Sequence, residues 1–168
     1  MNWHLGPKTR SKIRRHRAIF RALWHNFVLV AEACRLNGGK VAFEWPRGCT
    51  YWRDRKVIAF LKRTGMQLFD FDGCMYGLRS RARKTEGKLL RKPWRIASDC
   101  DAFQRLCRKC DHDPKQHAKV EGTDTKLTES YTDELAQGVI DCWISTLAGD
   151  ANTTNDTTTT PRCASCHV

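Results

Sequence analysis

Hydrophobic positions along the chain switch between helical and extended spacing. Over residues 9–36, apolar side chains recur at three- and four-residue intervals, which predicts an amphipathic helix that ends at Asn37-Gly38-Gly39. The same spacing predicts a second helix over 53–65 and a last one over 128–145. The apolar face of the last helix consists of Leu135, Val139, Ile140, Trp143 and Ile144.

Extended segments lie between these helices. Strands are predicted over 40–45, over 66–78 with a loop at Asp72-Gly73, and over 89–98, followed by a short helix over 99–110. This order predicts an α/β fold with a partial open sheet of about three strands and flanking helices. We expect a basic helical segment over 1–37, the partial α/β domain over 38–149 with a Cys/His segment at 100–117, and a disordered Thr-rich tail over 150–168.

Charge is distributed unevenly. Residues 1–99 hold 23 Lys and Arg against 7 Asp and Glu, whereas residues 100–168 hold 7 against 11, within a net charge of +12. A basic first part predicts contact with a polyanion, and nucleic acid is the expected partner. The alternatives are a solvated basic surface without a specific ligand and a nuclear-targeting signal. The candidate phosphate contacts are Lys12, Arg14, Arg15, Arg17, Arg79, Arg81, Arg83 and Lys84.

Apolar runs are short throughout. No stretch approaches eighteen apolar residues, so no membrane partner is expected. The N-terminus lacks the apolar run of a signal peptide, although its acid-free, Arg-containing opening also resembles a transit peptide. We therefore expect an intracellular protein, nuclear or cytoplasmic, whose nine cysteines are reduced thiols or metal ligands.

The segment "CRKCDHDPKQH" has the spacing of a metal site. Cys107, Cys110, His112 and His117 are predicted to bind Zn²⁺, with Pro114 favouring a turn that returns His117 to the thiolates. The alternative is two helix thiols and two solvated histidines. The terminal "CASCH" matches the haem-attachment pattern in letters, but its position in a Thr-rich tail argues against haem. Its cysteines, Cys163 and Cys166, either join Cys107 and Cys110 in a four-thiolate zinc site or belong to a tail without such a role.

An acidic residue ends the apolar strand 40–45. Glu44 lies beside Trp45, and if this strand neighbours the next one, Glu44 shares a pocket with Asp72, Cys74 and Tyr76. Partial desolvation favours the neutral acid or requires a cationic or amide partner, which suits an exocyclic amine or proton transfer. The alternative is an ion pair of Glu44 with a nearby arginine, either Arg47 or Arg53.

Residues 38–99 resemble a known family. A strand that ends in Glu-x-Pro, a helix, then "DGCMYGL" and "KPWRIAS" resembles the C-terminal half of a class I (Rossmann-like) DNA-methyltransferase domain of the cytosine-C5 type, as found in phages and mobile elements. The resemblance implies that Glu44 contacts a flipped base and that Tyr76, Gly77 and Arg95 belong to the later recognition segment. Asp72 and Tyr76 are then the accompanying site residues.

The pattern departs from that family in its missing parts. No Gly-rich cofactor loop and no Pro-Cys nucleophile precede Glu44, so S-adenosylmethionine is expected only if a second chain or polyprotein segment supplies the cofactor half. The sequence therefore predicts a nucleic-acid-binding fragment of a methyltransferase-like or mobile-element protein, not catalytically complete alone. The alternatives are a zinc-stabilised interaction module without base chemistry and an inert product of a mobile-element reading frame.

Overall fold

The computed structural model of the chain describes residues 6–121 and 123–153. Within them, α-helices span Gly6–Leu36 (α1), Arg55–Thr64 (α2), Thr123–Leu127 (α3) and Asp133–Thr153 (α4). Strands span Ala42–Pro46 (β1), Gln67–Asp72 (β2), Leu89–Leu90 (β3), Pro93–Ser98 (β4) and His117–Ala118 (β5). Short 3₁₀-helices cover Thr50–Arg53, Gly73–Tyr76, Asp101–Leu106 and Pro114–Gln116.

The main sheet is antiparallel and has the order β1–β4–β2. In this register Ile96 of β4 lies between Glu44 of β1 and Phe69 of β2. Since β1 and β2 both run antiparallel to β4, they are parallel to each other and their carboxyl ends lie at the same end of the sheet. The short strands β3 and β5 form a separate parallel pair.

Side chains alternate between the two faces of the sheet and so build two cores. On one face, here called the α4 face, Phe71, Trp94 and Ile96 pack with Leu135 of α4. On the other, the α1 face, Phe43, Trp45 and Ala97 pack with side chains of α1 and α2. The α1-face core is rich in aromatic contacts around Trp24, which lies 5.5 Å from the ring centroids of both Phe43 and Phe60.

Local capping explains where α2 begins and ends. The carboxylate of Asp54 accepts a hydrogen bond from the backbone N–H of Lys56, which satisfies a free donor of the first turn. At the other end Gly65 adopts a left-handed conformation with φ of 68°, as a helix C-terminus favours. Asp and Gly are residue types typical of these two positions. The helix predicted over 53–65 is confirmed over Arg55–Thr64.

The α/β class and the partial sheet of three strands with flanking helices are confirmed. Three predicted elements are corrected. The strand predicted over 66–78 ends at Asp72, and a 3₁₀-helix, Gly73–Tyr76, takes the place of its second part. The strand predicted over 89–98 is two strands, because the chain turns at Arg91-Lys92, where Lys92 has a positive φ of 20°. The helix predicted over 99–110 is only a 3₁₀-helix that ends at Leu106, so the Cys107–Cys110 segment is not helical.

Two further findings concern the membrane and the tail. No helix in the described ranges is both long and apolar enough to cross a bilayer. Helix α4 continues to Thr153, past the boundary predicted at residue 149. The rest of the predicted tail, with Cys163 and Cys166, lies outside the described residues.

Candidate metal centre and acidic pocket

Four potential ligands converge at the carboxyl end of β2. The Sγ atoms of Cys74 and Cys110 and ring nitrogens of His112 and His117 lie within 4.8 Å of one another, and this set can hold a metal ion. Sγ of Cys110 lies 3.4 Å from Nδ1 of His112 and 3.3 Å from Nε2 of His117. Cys74 is buried and the other three side chains are half-buried.

Cys74 is placed by a tight turn after β2. It lies on the 3₁₀-helix Gly73–Tyr76, and the backbone N–H of Gly73 donates to the carbonyl oxygens of both Arg91 and Lys92. A Cβ atom at position 73 would lie 2.8 Å from Cδ2 of Leu78 and 3.0 Å from the Trp94 ring, so only glycine fits without displacement. The turn therefore fixes the Cys74 thiol at the strand end.

Asp72 brings Cys110 to Cys74. The Asp72 side chain is fully buried, and its Oδ2 accepts hydrogen bonds from the backbone N–H of Cys110 at 3.0 Å and from Nε of Arg91 at 3.2 Å. The backbone N–H of Asp72 donates in turn to the carbonyl oxygen of Arg108. These bonds attach the 108–110 segment to the end of β2, directly beside Cys74.

A turn at Pro114 brings His117 back towards the Cys110 thiol, as the sequence predicted. The Asp113 carboxylate accepts from the backbone N–H of Lys115 and begins the 3₁₀-helix Pro114–Gln116. The Nδ1–H of His117 donates to the carbonyl oxygen of Asp113 at 3.2 Å, which leaves Nε2 directed at Cys110. Such a bond to the second ring nitrogen fixes the tautomer of a histidine ligand.

Cys107 is not part of this set, and Cys74 stands in its place. After Leu106 the chain makes a tight turn at Cys107, where the backbone N–H of Arg108 donates to the carbonyl oxygen of Leu106, and of the two cysteines only Cys110 belongs to the ligand set. Cys107 packs instead against the α4-face core, where burial raises the pKa of its thiol. Burial, together with the neighbouring Cys110, raises the pKa of Cys74 to about 12, so a metal must displace a proton to bind there.

Glu44 lines a different site, a cavity between the α4 face of the sheet and α4. Its Oε2 accepts a hydrogen bond from the hydroxyl of Tyr131. The alternative, an ion pair of Glu44 with Arg47 or Arg53, is not formed among the described residues: Arg47 instead approaches Asp72, at 4.0 Å. Desolvation raises the pKa of Glu44, against the opposing effects of Tyr131 and the charge of Lys92.

The structure does not bring Glu44, Asp72, Cys74 and Tyr76 into the single pocket that the sequence predicted. Strand β4 separates β1 from β2, and the register places Glu44 on the α4 face and Asp72 on the α1 face. Asp72 holds the backbone of Cys110, one of the candidate metal ligands, and the hydroxyl of Tyr76 donates to the carbonyl oxygen of Leu106 at 2.7 Å. Neither residue lines the cavity of Glu44. Arg95, from the resembling segment, forms a bidentate ion pair with Asp70.

The predicted phosphate contacts lie on two segments. Lys12, Arg14 and Arg15 are exposed on α1, and Arg17 on the same helix is half-buried. The others, Arg79, Arg81, Arg83 and Lys84, are exposed on the 79–88 loop. That loop is held by buried Asp124, which accepts from the Ser80 hydroxyl and from the backbone N–H groups of Arg81 and Ala82.

Comparison with known proteins adds no relative to this description: no protein-family model, no curated protein and no solved structure matches the chain.

Proposed function

We propose that this chain is a zinc-stabilised module that binds nucleic acid through the basic part of α1. Zinc is supported by the ligand set at the end of β2. Two thiolates and two imidazoles are the donors of structural zinc sites, with Zn–S near 2.3 Å and Zn–N near 2.0–2.1 Å. A tetrahedron with those bonds separates its ligand atoms by about 3.4–3.8 Å, close to the 3.3 and 3.4 Å that separate Cys110 from the two histidines.

Nucleic-acid binding is supported most directly by the first half of α1. Between residues 8 and 21 the helix carries no Asp or Glu, and two stripes of cations run along it at intervals of three and four residues. The stripes are Lys8, Lys12 and Arg15, and Arg10, Arg14, Arg17 and Arg21. Lys8 lies in the first turn of α1, where a cation opposes the helix dipole by about 0.3–1 kcal/mol, and the further cations repel one another. A phosphate backbone would offset both this effect and the mutual repulsion.

An aromatic surface borders the second stripe. The ring of Tyr51 stacks on Phe20 with centroids 3.6 Å apart, and its hydroxyl hydrogen-bonds Nδ1 of His16 at 2.9 Å. His16 and Tyr51 line one surface groove together with Arg17. Aromatic faces beside cations suit single-stranded nucleic acid, whose bases stack without sequence preference.

The test is a salt titration of binding to a fluorescent 20-nucleotide single strand by anisotropy. Removing three α1 charges in the triple variant Lys12→Gln, Arg14→Gln, Arg15→Gln should flatten the slope of log K against log salt by roughly 2, near 0.7 per phosphate contact. The matched control, Lys115→Gln, Lys119→Gln, Lys126→Gln, removes the same charge from exposed residues of the acidic half and should change the slope little. Equal changes in both variants, or binding insensitive to salt, would refute the α1 assignment.

The methyltransferase-like resemblance, with Glu44 as a base contact, stays a prediction that belongs to the same proposal. If the chain is the recognition part of such a unit, S-adenosylmethionine should bind only when a second chain completes the sheet, and β1 offers an edge for it. Calorimetry of S-adenosylmethionine with this chain alone should therefore show no saturable heat. Saturable binding to the isolated chain would contradict the fragment hypothesis.

A further inference from the structure

The cavity that Glu44 lines is apolar apart from one acid and one phenol. It has a volume of about 410 Å³ and lies between β1, β4 and α4. Pockets of about 300–1,000 Å³ with apolar walls and few polar groups are typical of small-molecule sites. Its side walls come from Phe71, Phe103 and Trp143 and from Ile96, Leu135 and Val139.

The acid is incompletely satisfied. Oε2 of Glu44 accepts from the Tyr131 hydroxyl, but Oε1 is closed to water and has no hydrogen-bond partner among the described residues. Leaving a buried carboxylate oxygen unpaired is more unfavourable than leaving a neutral polar group unpaired. An orphaned anionic oxygen at the wall of an apolar cavity indicates a missing cationic or N–H partner.

Lys92 does not supply that partner. Its Nζ donates to the carbonyl oxygen of Thr128 and lies 5.4 Å from the centroid of the Trp94 ring. Lys92 therefore lowers the pKa of Glu44 only through its charge and not by a hydrogen bond. Desolvation is the larger effect, so the pKa of Glu44 is still raised. Tyr131 is replaceable, because its side chain is 50% exposed and it precedes the first turn of α4.

We propose that this cavity binds a small ligand with an apolar, preferably aromatic, body and a protonated amine, whose ammonium group donates to the unpaired Oε1 of Glu44 and takes the place of the Tyr131 hydroxyl on Oε2. The aromatic walls accommodate the body and also favour a nearby cation through their π faces. A carboxylate only accepts hydrogen bonds, so an ammonium, which only donates, is its full complement. An anionic ligand is excluded by Glu44.

A nucleobase could also bind Glu44, but it differs from the proposed ligand in charge. The exocyclic amine of cytosine is neutral, so it gains less from a desolvated carboxylate than an ammonium does. The cavity also lies on the α4 face, whereas the basic half of α1 belongs to the opposite side of the sheet. The amine site is therefore independent of nucleic-acid binding by α1, and it is an alternative to the use of Glu44 as a base contact.

The probes are three molecules of similar size and different charge: 2-phenylethylamine, 2-phenylethanol and 3-phenylpropionate. They are titrated into the full-length, zinc-supplemented protein at pH 7, and binding is followed by amide chemical shifts. The amine should bind about 10- to 100-fold more tightly than the alcohol, the range expected for a hydrogen bond to a charged group. Shifts should centre on residues 42–44 and 135–143, and 3-phenylpropionate should not saturate.

Two variants assign the anchor. Glu44→Gln keeps the size and the acceptor for Tyr131 but removes the charge, and should lower amine affinity to that of the alcohol. Tyr131→Phe removes the competing hydroxyl and should raise amine affinity several-fold. Equal binding of amine and alcohol, no saturable shift with any probe, or cytidine binding at Glu44 in place of the amine would overturn the proposal. The comparison of probes on the unaltered protein holds even if a variant folds poorly.

Discussion

Replacing Cys74 tests which cysteine is the fourth zinc ligand. The structure places Cys74 in the ligand set, whereas the sequence spacing predicts Cys107. Cys74→Ser removes a converging thiol, whereas Cys107→Ser removes a thiol that the sequence alone favours and that packs near the same core. Both changes exchange sulfur for oxygen, so their packing effects are comparable in kind. We expect the first to abolish stoichiometric zinc binding and the second to preserve it.

The magnitude follows from what a bound metal would join. Zinc would link residues 74 and 110 and so close a loop of about 36 residues, for which the chain-entropy model of a cross-link gives about 4 kcal/mol. Mass action gives a similar figure, since a free zinc level about 1,000 times the dissociation constant stabilises the native state by about 4.1 kcal/mol. For a chain of this size, that corresponds to a fall in Tm of about 8–16 °C when zinc is removed.

The assay is thermal unfolding with and without a zinc chelator, beside metal analysis of the purified protein. The chelator should lower the Tm of the unaltered protein and of Cys107→Ser, whereas the Tm of Cys74→Ser should stay the same. The response to chelator is the informative quantity, because a buried serine lowers Tm by itself. His117→Ala, at a half-buried position, repeats the test outside the core. A Cys74→Ser protein that retains one zinc, or a Cys107→Ser protein that loses it, would refute the assignment.

Two further predictions concern stability. Gly73→Ala should lower the free energy of unfolding by about 1–3 kcal/mol, because its Cβ would overlap Leu78 and Trp94; Gly48→Ala, whose Cβ meets no atom within 4 Å, is the control. For Glu44, the folded-state pKa is raised above 4.5, so the native state loses stability as pH rises through and above that value. Glu44→Gln should therefore gain stability relative to the unaltered protein between about pH 4 and pH 7 in urea titrations, and a difference independent of pH would contradict the burial of the charge.

Local pattern and capping chemistry predicted the elements whose causes lie within a few residues. The end of α2 at Gly65 and the turn at Pro114 that returns His117 are examples. The break at Lys92 was not predicted, since nothing in "LLRKPWRIAS" shows that Gly73 will take the carbonyl oxygens of the turn. Propensity described that segment as one strand, and a tertiary contact divides it.

The candidate sites show the same limit more sharply. Three of the four ligands are close in sequence, and their spacing was sufficient to find them. Cys74 was assigned to the pocket of Glu44 and not to the metal site, because its approach to Cys110 depends on Asp72. The partner of Glu44, Tyr131, is 87 residues away and was not predicted. Spacing identifies ligands within one turn or loop, whereas partners joined by the sheet require its strand order.

The strand order also keeps the three proposed sites apart. The cations of α1 belong to the α1 face, the acidic cavity belongs to the α4 face, and the ligand set lies at the carboxyl end of β2. Because variants that share no partners usually act additively, the charge-removing triple variant should leave both the chelator response and amine binding unchanged. Loss of zinc, by contrast, leaves the 108–110 segment attached only through Asp72, and its effect should extend into the α4-face core through Leu106, whose carbonyl oxygen accepts from Tyr76. Coupling is therefore expected between zinc and the acidic cavity, and not between either of them and α1.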